Sequence, residues 1–333
     1  MTREGHLRGA ERVRSRGRGA RPWLALCLFV ASCAGAPRRE SAPPPSAGGG
    51  HVRASETRVD AASELVVLAS PTAEPSASLA PEPVAPTTAP SSASAPLVAR
   101  SETRAVVLGY HDVGPRADDR TVSGAAFEAH MEALVRSGVS VVPLSHLVDF
   151  LEDKRKLPAR VVTIMFDDGD GGMATHALPV LERLRLPFSL ALPTASIDFA
   201  SSPRANPRQP KLTWPRVRAM MASGLCEVAS HGHTHSALAR MAKNLRREEL
   251  GRSRELIGAR TGLAPSAFVY PMGSFSEHVI TDAEALGYRA AFTAVGKVIA
   301  HDTPRFRVPR FMVKGGADAN AIRGYLRVAG LLP

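Results

Sequence analysis

The stretch Val161-Val-Thr-Ile-Met-Phe-Asp-Asp-Gly169 constrains this chain more than any other. An apolar, β-branched run leads straight into two adjacent carboxylates and a glycine. A run of that length predicts a strand buried on both faces, central in a parallel sheet. Asp167 and Asp168 then fall where the strand ends. Two neighbouring acids at a buried strand end are costly unless a cation compensates them, and a metal ion is the usual compensation. In barrels of alternating strands and helices, that end carries the active site. The competing reading is local: the acids cap the helix predicted to begin near Met173.

The rest of the chain alternates in the same way. Strands are predicted at 105–109, 139–142, 188–192, 226–230, 267–270, 290–294 and 307–313. A capping Ser123 opens a helix with Phe127, Met131, Leu134 and Val135 on one face. Further helices are predicted at 145–154, around 177–181, from a capping Thr213 to Gly224, and at 245–261, 277–286 and 318–327. Seven or eight such units in the last 233 residues predict one closed or nearly closed α/β barrel over residues 101–333.

Composition excludes some partners. The chain has 333 residues and a formal net charge of +11. It lacks a basic run interleaved with aromatics, so no nucleic-acid partner is expected. Of the cysteines Cys27, Cys33 and Cys226, only the last lies beyond the leader. That excludes a disulfide framework or a cysteine-rich zinc site in the folded part.

Residues 1–33 read as a secretory signal: an arginine-rich start, then an apolar core too short to span a bilayer comfortably. Val30-Ala-Ser-Cys33 resembles the bacterial lipobox, which implies a lipid on Cys33 and a membrane as partner. The alternative is an ordinary signal peptide cut near Ala34 or Ala36. Residues 34–100 are rich in Pro, Ala and Ser without sustained periodicity, so a disordered N-terminal tether is expected. The expectation is an exported, membrane-anchored lipoprotein of the bacterial cell envelope, periplasmic or on the outer surface.

Four further features can carry chemistry. Ser230-His-Gly-His-Thr-His235 places three histidines in five residues, a density that packing does not explain. Zinc accepts two histidines and a carboxylate and keeps a position for water. Spacing leaves the pair open. His231 and His235 would share one face of a helical turn, whereas His231–His233 or His233–His235 would suit an extended loop. Tyr270-Pro-Met-Gly273 follows another strand, where backbone N–H groups could face an oxyanion, although a plain turn fits as well. His111 directly follows the first strand. Arg310 is a candidate partner for a buried carboxylate, with a surface arginine as the alternative. A mononuclear site would take Asp168 and two histidines. Asp167 would then serve as base toward the metal's water and His111 as acid toward a leaving amine.

In order, Thr163–Gly169, Ser230–His235 and Tyr270–Gly273 resemble the successive motifs of the polysaccharide deacetylase (NodB-homology) family. Leu212-Thr-Trp214 and Ala177–Leu181 resemble its intervening segments, and the resemblance covers residues 104–313. It implies a distorted (β/α)7 TIM-like barrel that hydrolyses N- or O-acetyl groups on polysaccharides. Carried over, Asp167 is the base. Asp168, His231 and His235 hold one divalent metal, zinc first, with cobalt, nickel or manganese as alternatives. His233 is left out, and Tyr270, Pro271 and Met272 line the oxyanion and substrate side.

The chain also departs from the family pattern. Val269 stands where many members carry arginine, Met272 stands where an aromatic is common, and no Leu-x-His motif follows residue 302. Tyr110-His111-Asp112 ahead of the Asp-Asp strand resembles instead the circularly permuted branch containing the poly-β-1,6-N-acetylglucosamine deacetylases. That branch implies the acid role for His111 and leaves Arg310 to stand in for the absent arginine beside Asp167. The expected activity is removal of N-acetyl groups from an N-acetylglucosamine polysaccharide. An O-acetyl (xylan-type) esterase and a non-catalytic, metal-retaining glycan-binding lipoprotein are the competing readings.

Overall fold

The computed structural model describes residues 95–332 apart from 201, 203, 208 and 209. The leader, the lipidation candidate Cys33 and the expected tether up to residue 94 lie outside the described residues. Among those described, no helix is long and apolar enough to cross a membrane.

The strands are β1 (Arg104–Tyr110), β2 (Asp112–Gly114), β3 (Thr121–Ser123), β4 (Ser140–Val141), β5 (Arg160–Asp167), β6 (Phe188–Leu192), β7 (Cys226–Ser230), β8 (Ala267–Val269), β9 (Ala290–Phe292) and β10 (Phe311–Met312). The helices are α1 (Gly124–Arg136), α2 (Leu144–Leu151), α3 (Leu178–Arg183), α4 (Thr194–Ala200), α5 (Trp214–Ala222), α6 (Lys243–Thr261), α7 (Glu277–Ala285) and α8 (Ala319–Val328). A π-helical turn, Met173–Ala177, leads into α3.

Seven strands curl in the parallel order β10-β1-β5-β6-β7-β8-β9, with β4 attached to β5. The segment entering β10 draws the two edges together. Val308 donates its N–H to Ala291 at 3.0 Å and accepts from Thr293 at 2.8 Å, while Phe311 pairs with Leu108 of β1. This is the expected distorted barrel. β1 precedes the Asp-Asp strand in the chain and lies beside it in register, Tyr110 opposite Phe166.

Strand parity sorts the core into layers. On β1 and β5, Val106, Leu108, Val162, Ile164 and Phe166 pack outward against helices. The alternate positions Ala105, Val107, Val161 and Met165 fill the interior. Ala191, Ala229, Ala267 and Ala290 continue that interior layer on the remaining strands. Small side chains there let the sheet curl tightly.

Two local expectations are corrected. Val135 is 51% exposed, and His130 takes the buried place on α1, held between the Tyr110 hydroxyl and the Ala317 carbonyl. Ser123 caps α1 as expected, but the Thr213 hydroxyl makes no capping bond to α5. Pro215 near the start of α5 reduces the need for one, since it has no N–H to satisfy. The small β2–β3 sheet and α4 were not anticipated. They are too short for periodicity to reveal, and both border the site.

Candidate active site

The turn after β5 places the two aspartates apart. Asp167 continues the interior parity of Val161 and Met165 and so faces into the barrel. Asp168 and Gly169 are both left-handed, with φ of 67° and 64°. Aspartate tolerates that conformation better than most residues. A Cβ on Gly169 would lie 2.7 Å from Ile197 of α4, so glycine is needed for space as well as for φ. The tight turn swings Asp168 onto the rim. Neither acid caps the following helix: it is Asp112 that accepts from the Met173 N–H.

The histidine loop brings His231 and His235 to the same point. His231 donates Nδ1–H to the Val269 carbonyl at 2.8 Å, which leaves Nε2 with a free lone pair. That Nε2 lies 3.6 Å from Asp168 Oδ1, and His235 Nε2 lies 3.2 Å from the same oxygen. The pair left open by spacing is therefore His231 and His235, brought together by a left-handed His235 (φ 60°) rather than by a helical turn. His233 is turned elsewhere, with Nδ1 2.8 Å from the Thr194 hydroxyl.

This donor set fits a divalent cation. Donor atoms of Asp168, His231 and His235 all lie within 4.8 Å of one another, and the buried Asp168 Oδ1 has no hydrogen-bond partner. An orphaned carboxylate oxygen facing two imidazole nitrogens is costly without a positive charge between them.

Backbone and helices fix the loop. Glu249 of α6, 8% exposed, accepts from the N–H groups of His233 and Thr234, both at 2.9 Å, and from the Thr234 hydroxyl at 2.6 Å. Thr194 and Ala195 at the start of α4 donate to the carbonyls of Gly232 and His233.

Asp167 is held by Arg310, which is 2% exposed and therefore no surface arginine. Nη1 donates to Oδ1 at 2.8 Å and Nη2 to Oδ2 at 3.0 Å, while Nε donates to the Thr293 carbonyl at 2.8 Å. Burial pushes the Asp167 carboxyl up, but Arg310, with His231 and His111 adding, holds it below its ordinary value. Gly109 makes room for the Met312 side chain beside the guanidinium, since a Cβ there would sit 2.6 Å from Met312 Sδ. His111, half-buried at the end of β1, feels Asp167, Asp168, Arg120 and Arg310. Burial dominates and lowers its pKa, with Arg120 and Arg310 adding, against the two carboxylates.

The third motif is divided. The Tyr270 ring stacks on Phe275 and its hydroxyl donates to the Phe306 carbonyl at 2.9 Å, so the side chain is committed to core packing. Pro271 is buried against the histidine loop, close to Gly232. Met272 is left-handed (φ 56°) and 71% exposed. Three of the five left-handed non-glycine residues described, Asp168, His235 and Met272, thus sit in these motifs, where backbone strain tends to collect.

A cleft of about 590 Å3 opens beside the cluster, walled by Asp112, Asp118, Arg120, Asp170, Lys211 and His235 among others. Arg120 ion-pairs with Asp168 Oδ2, the oxygen turned away from the orphaned one. Lys211 donates to Asp170 Oδ1 at 2.5 Å and to the Asp168 carbonyl at 3.3 Å. Sequence reasoning missed Arg120, Lys211 and Glu249. Lys211 directly precedes the Leu212-Thr-Trp214 segment and carried a faint signal. Arg120 and Glu249 had none among so many other charged residues.

Barrel, rim cluster and motif order agree with one family. Residues 154–291 match the model of the polysaccharide deacetylase family. The chain is 24% identical over 211 residues to the poly-beta-1,6-N-acetyl-D-glucosamine N-deacetylase of Staphylococcus epidermidis, covering 61% of this chain and 71% of that protein. Among solved structures it is similar to IcaB from Ammonifex degensii, at 26% identity and a TM-score of 0.60, over 69% of this chain and 97% of that one. It is likewise similar to a de-N-acetylase from Aggregatibacter actinomycetemcomitans, at 25% identity and a TM-score of 0.58, over 67% and 100%.

Proposed function

We propose that this protein removes N-acetyl groups from a β-1,6-linked N-acetylglucosamine polymer, working outside the cell membrane from a lipid on Cys33. The observation that carries the reading is the juxtaposition, at one barrel rim, of the Asp168–His231–His235 cluster and the Arg310-held Asp167. Similarity to the Staphylococcus epidermidis enzyme supports the substrate class.

Asp168, His231 and His235 would hold one divalent ion, zinc by the chemistry of the donor set, which when bound supplies Lewis acidity and an activated water. Asp167 accepts the proton released as water adds to the acetyl carbonyl. Arg310 keeps that carboxylate ionised and aimed, at some cost in basicity. His111 delivers a proton to the leaving nitrogen. Burial lowers its pKa, so the neutral ring must first be protonated, with the proton that Asp167 takes from the water as the source that balances the step. The Pro271–Met272 turn borders the substrate side. The left-handed turn at Asp168, with Arg120 on its second oxygen, keeps the orphaned oxygen pointed at the histidines.

The test is acetate release from β-1,6- and β-1,4-linked N-acetylglucosamine oligomers by the zinc-loaded full chain, with Asp167→Asn in parallel. Release by the wild type, and a loss of about a thousandfold or more in the variant, is the expected result. Equal rates for the two would remove Asp167 from the base role. Failure of palmitate to label the wild-type chain in cells, or its equal labelling of Cys33→Ala, would remove the lipid anchor.

A further inference from the structure

The cleft beside the rim cluster continues into a second groove. Ser196, Pro210 and Lys211 line both. The second groove, about 530 Å3, follows α4 and is walled largely by Ala195, Phe199, Ala200, Ala205 and Pro207. That volume is within the range of small-molecule sites, roughly 300–1,000 Å3.

Phe199 is 52% exposed, and α4 gives it no way inward. Ile197 takes the buried position beside it. Asp198 accepts from the Trp214 indole N–H at 2.6 Å, which ties α4 to α5. The first residues of α4 are bonded to the histidine loop through Gly232 and His233. A large apolar ring held open to water on a pinned helix, continuous with a cleft, is built as a contact surface.

The two cavities also differ in charge. Asp112, Asp118 and Asp170 join Asp168 around the central cleft. Among the described residues no carboxylate lines the second groove, and the cation that does, Lys211, is engaged by Asp170 at 2.5 Å.

We infer that this groove is a glycan subsite that takes the neighbouring sugar of the polymer in its N-acetylated form, with a ring face against Phe199. The inference rests on the deacetylase reading. A pyranose offers a C–H face that an aromatic ring covers, and its hydroxyls reach the few polar groups of the wall, such as Ser196 and Thr234. A deacetylated neighbour would carry an ammonium into an apolar groove with no carboxylate to receive it. The consequence is selection on the Phe199 side. The enzyme favours a sugar whose neighbour there is still acetylated, so products carry spaced amines rather than continuous runs.

The experiment compares wild type, Phe199→Ala and Phe199→Trp, as zinc-loaded full chains of equal metal content, on N-acetylglucosamine oligomers from dimer to pentamer. Phe199→Ala is expected to lose about tenfold in kcat/KM on the pentamer, with the loss shrinking as the oligomer shortens and tryptophan restoring it. Its preference for fully acetylated over partly deacetylated pentamer should fall with it. An equal loss at every length would assign Phe199 to the fold alone, and no loss would empty the groove of function; either overturns the subsite. Should wild type release no acetate from any oligomer, the deacetylase reading fails separately, and pentamer binding by calorimetry decides the groove. Weaker binding to Phe199→Ala than to wild type would then keep it, while equal or absent binding would overturn it.

Discussion

Arg310 grips both carboxylate oxygens of Asp167, at 2.8 and 3.0 Å, from 143 positions further along the chain. Both side chains are almost fully buried. Arg310→Ala should therefore leave an unpaired buried carboxylate, and a loss of roughly 3–5 kcal/mol in stability is expected. Arg310→Lys keeps the charge but cannot reproduce the two parallel bonds, so it should fall between the two. Denaturant unfolding of the three proteins checks the order, and a lysine variant as stable as wild type would contradict it.

Metal content should separate the three histidines. His231→Ala, His235→Ala and Asp168→Ala should each lose stoichiometric zinc after dialysis, because each removes one of the three donors that the described residues bring together. His233→Ala should retain it, since His233 bonds to Thr194 outside the cluster. Elemental analysis reads the result, and loss of zinc from the His233 variant with the fold intact would refute the assignment.

Glu249 acts from behind the loop. Removing its carboxylate in Glu249→Ala leaves the His233 and Thr234 N–H groups without their acceptor. The expected cost is about 1–3 kcal/mol in stability, with metal affinity weakened roughly 10–100-fold as the loop loosens. Competition with a chelator measures the affinity, and unchanged zinc binding would reduce Glu249 to ordinary packing.

Stability of the metal-free protein should fall in acid. Burial holds His130 and His231 below their ordinary value of 6.5. As pH drops through 6.5, the unfolded chain takes up protons on these rings before the folded one does. The stabilisation is complete above that value and is lost as pH falls toward the folded pKa. Asp167, also held low, adds a loss of the same sign further into acid, below its ordinary 3.8. The thermal midpoint should thus be lower at about pH 5.5 than at about pH 7.5. A midpoint that stays level or rises on acidification would contradict this.

Much of the site was legible before any coordinates. The run into Asp167 and Asp168 announced a buried strand with acids at its end, and β5 ends at Asp167. The histidine density announced a ligand cluster, and two of the three join it. Other parts were opaque for physical reasons. Val135 and His130 both suit the buried side of α1 in a helical pattern, and only the neighbours Tyr110 and Ala317 settle which is covered. Tyr270 follows a strand as an oxyanion motif would, yet its ring is drawn into a cluster with Phe268 and Phe275.

The sequence by itself determined what depends on near neighbours. Period-two parity turns Asp167 inward, and the Asp168–Gly169 turn throws the second acid onto the rim, since both follow from the backbone of a few consecutive residues. The tertiary structure alone decided which distant groups meet there. It chose Arg310 for Asp167, chose His231 and His235 over His233, and set Glu249 behind the loop. Such choices turn on how the sheet curls and where its edges close, and those are properties of the whole barrel's packing rather than of any stretch within it.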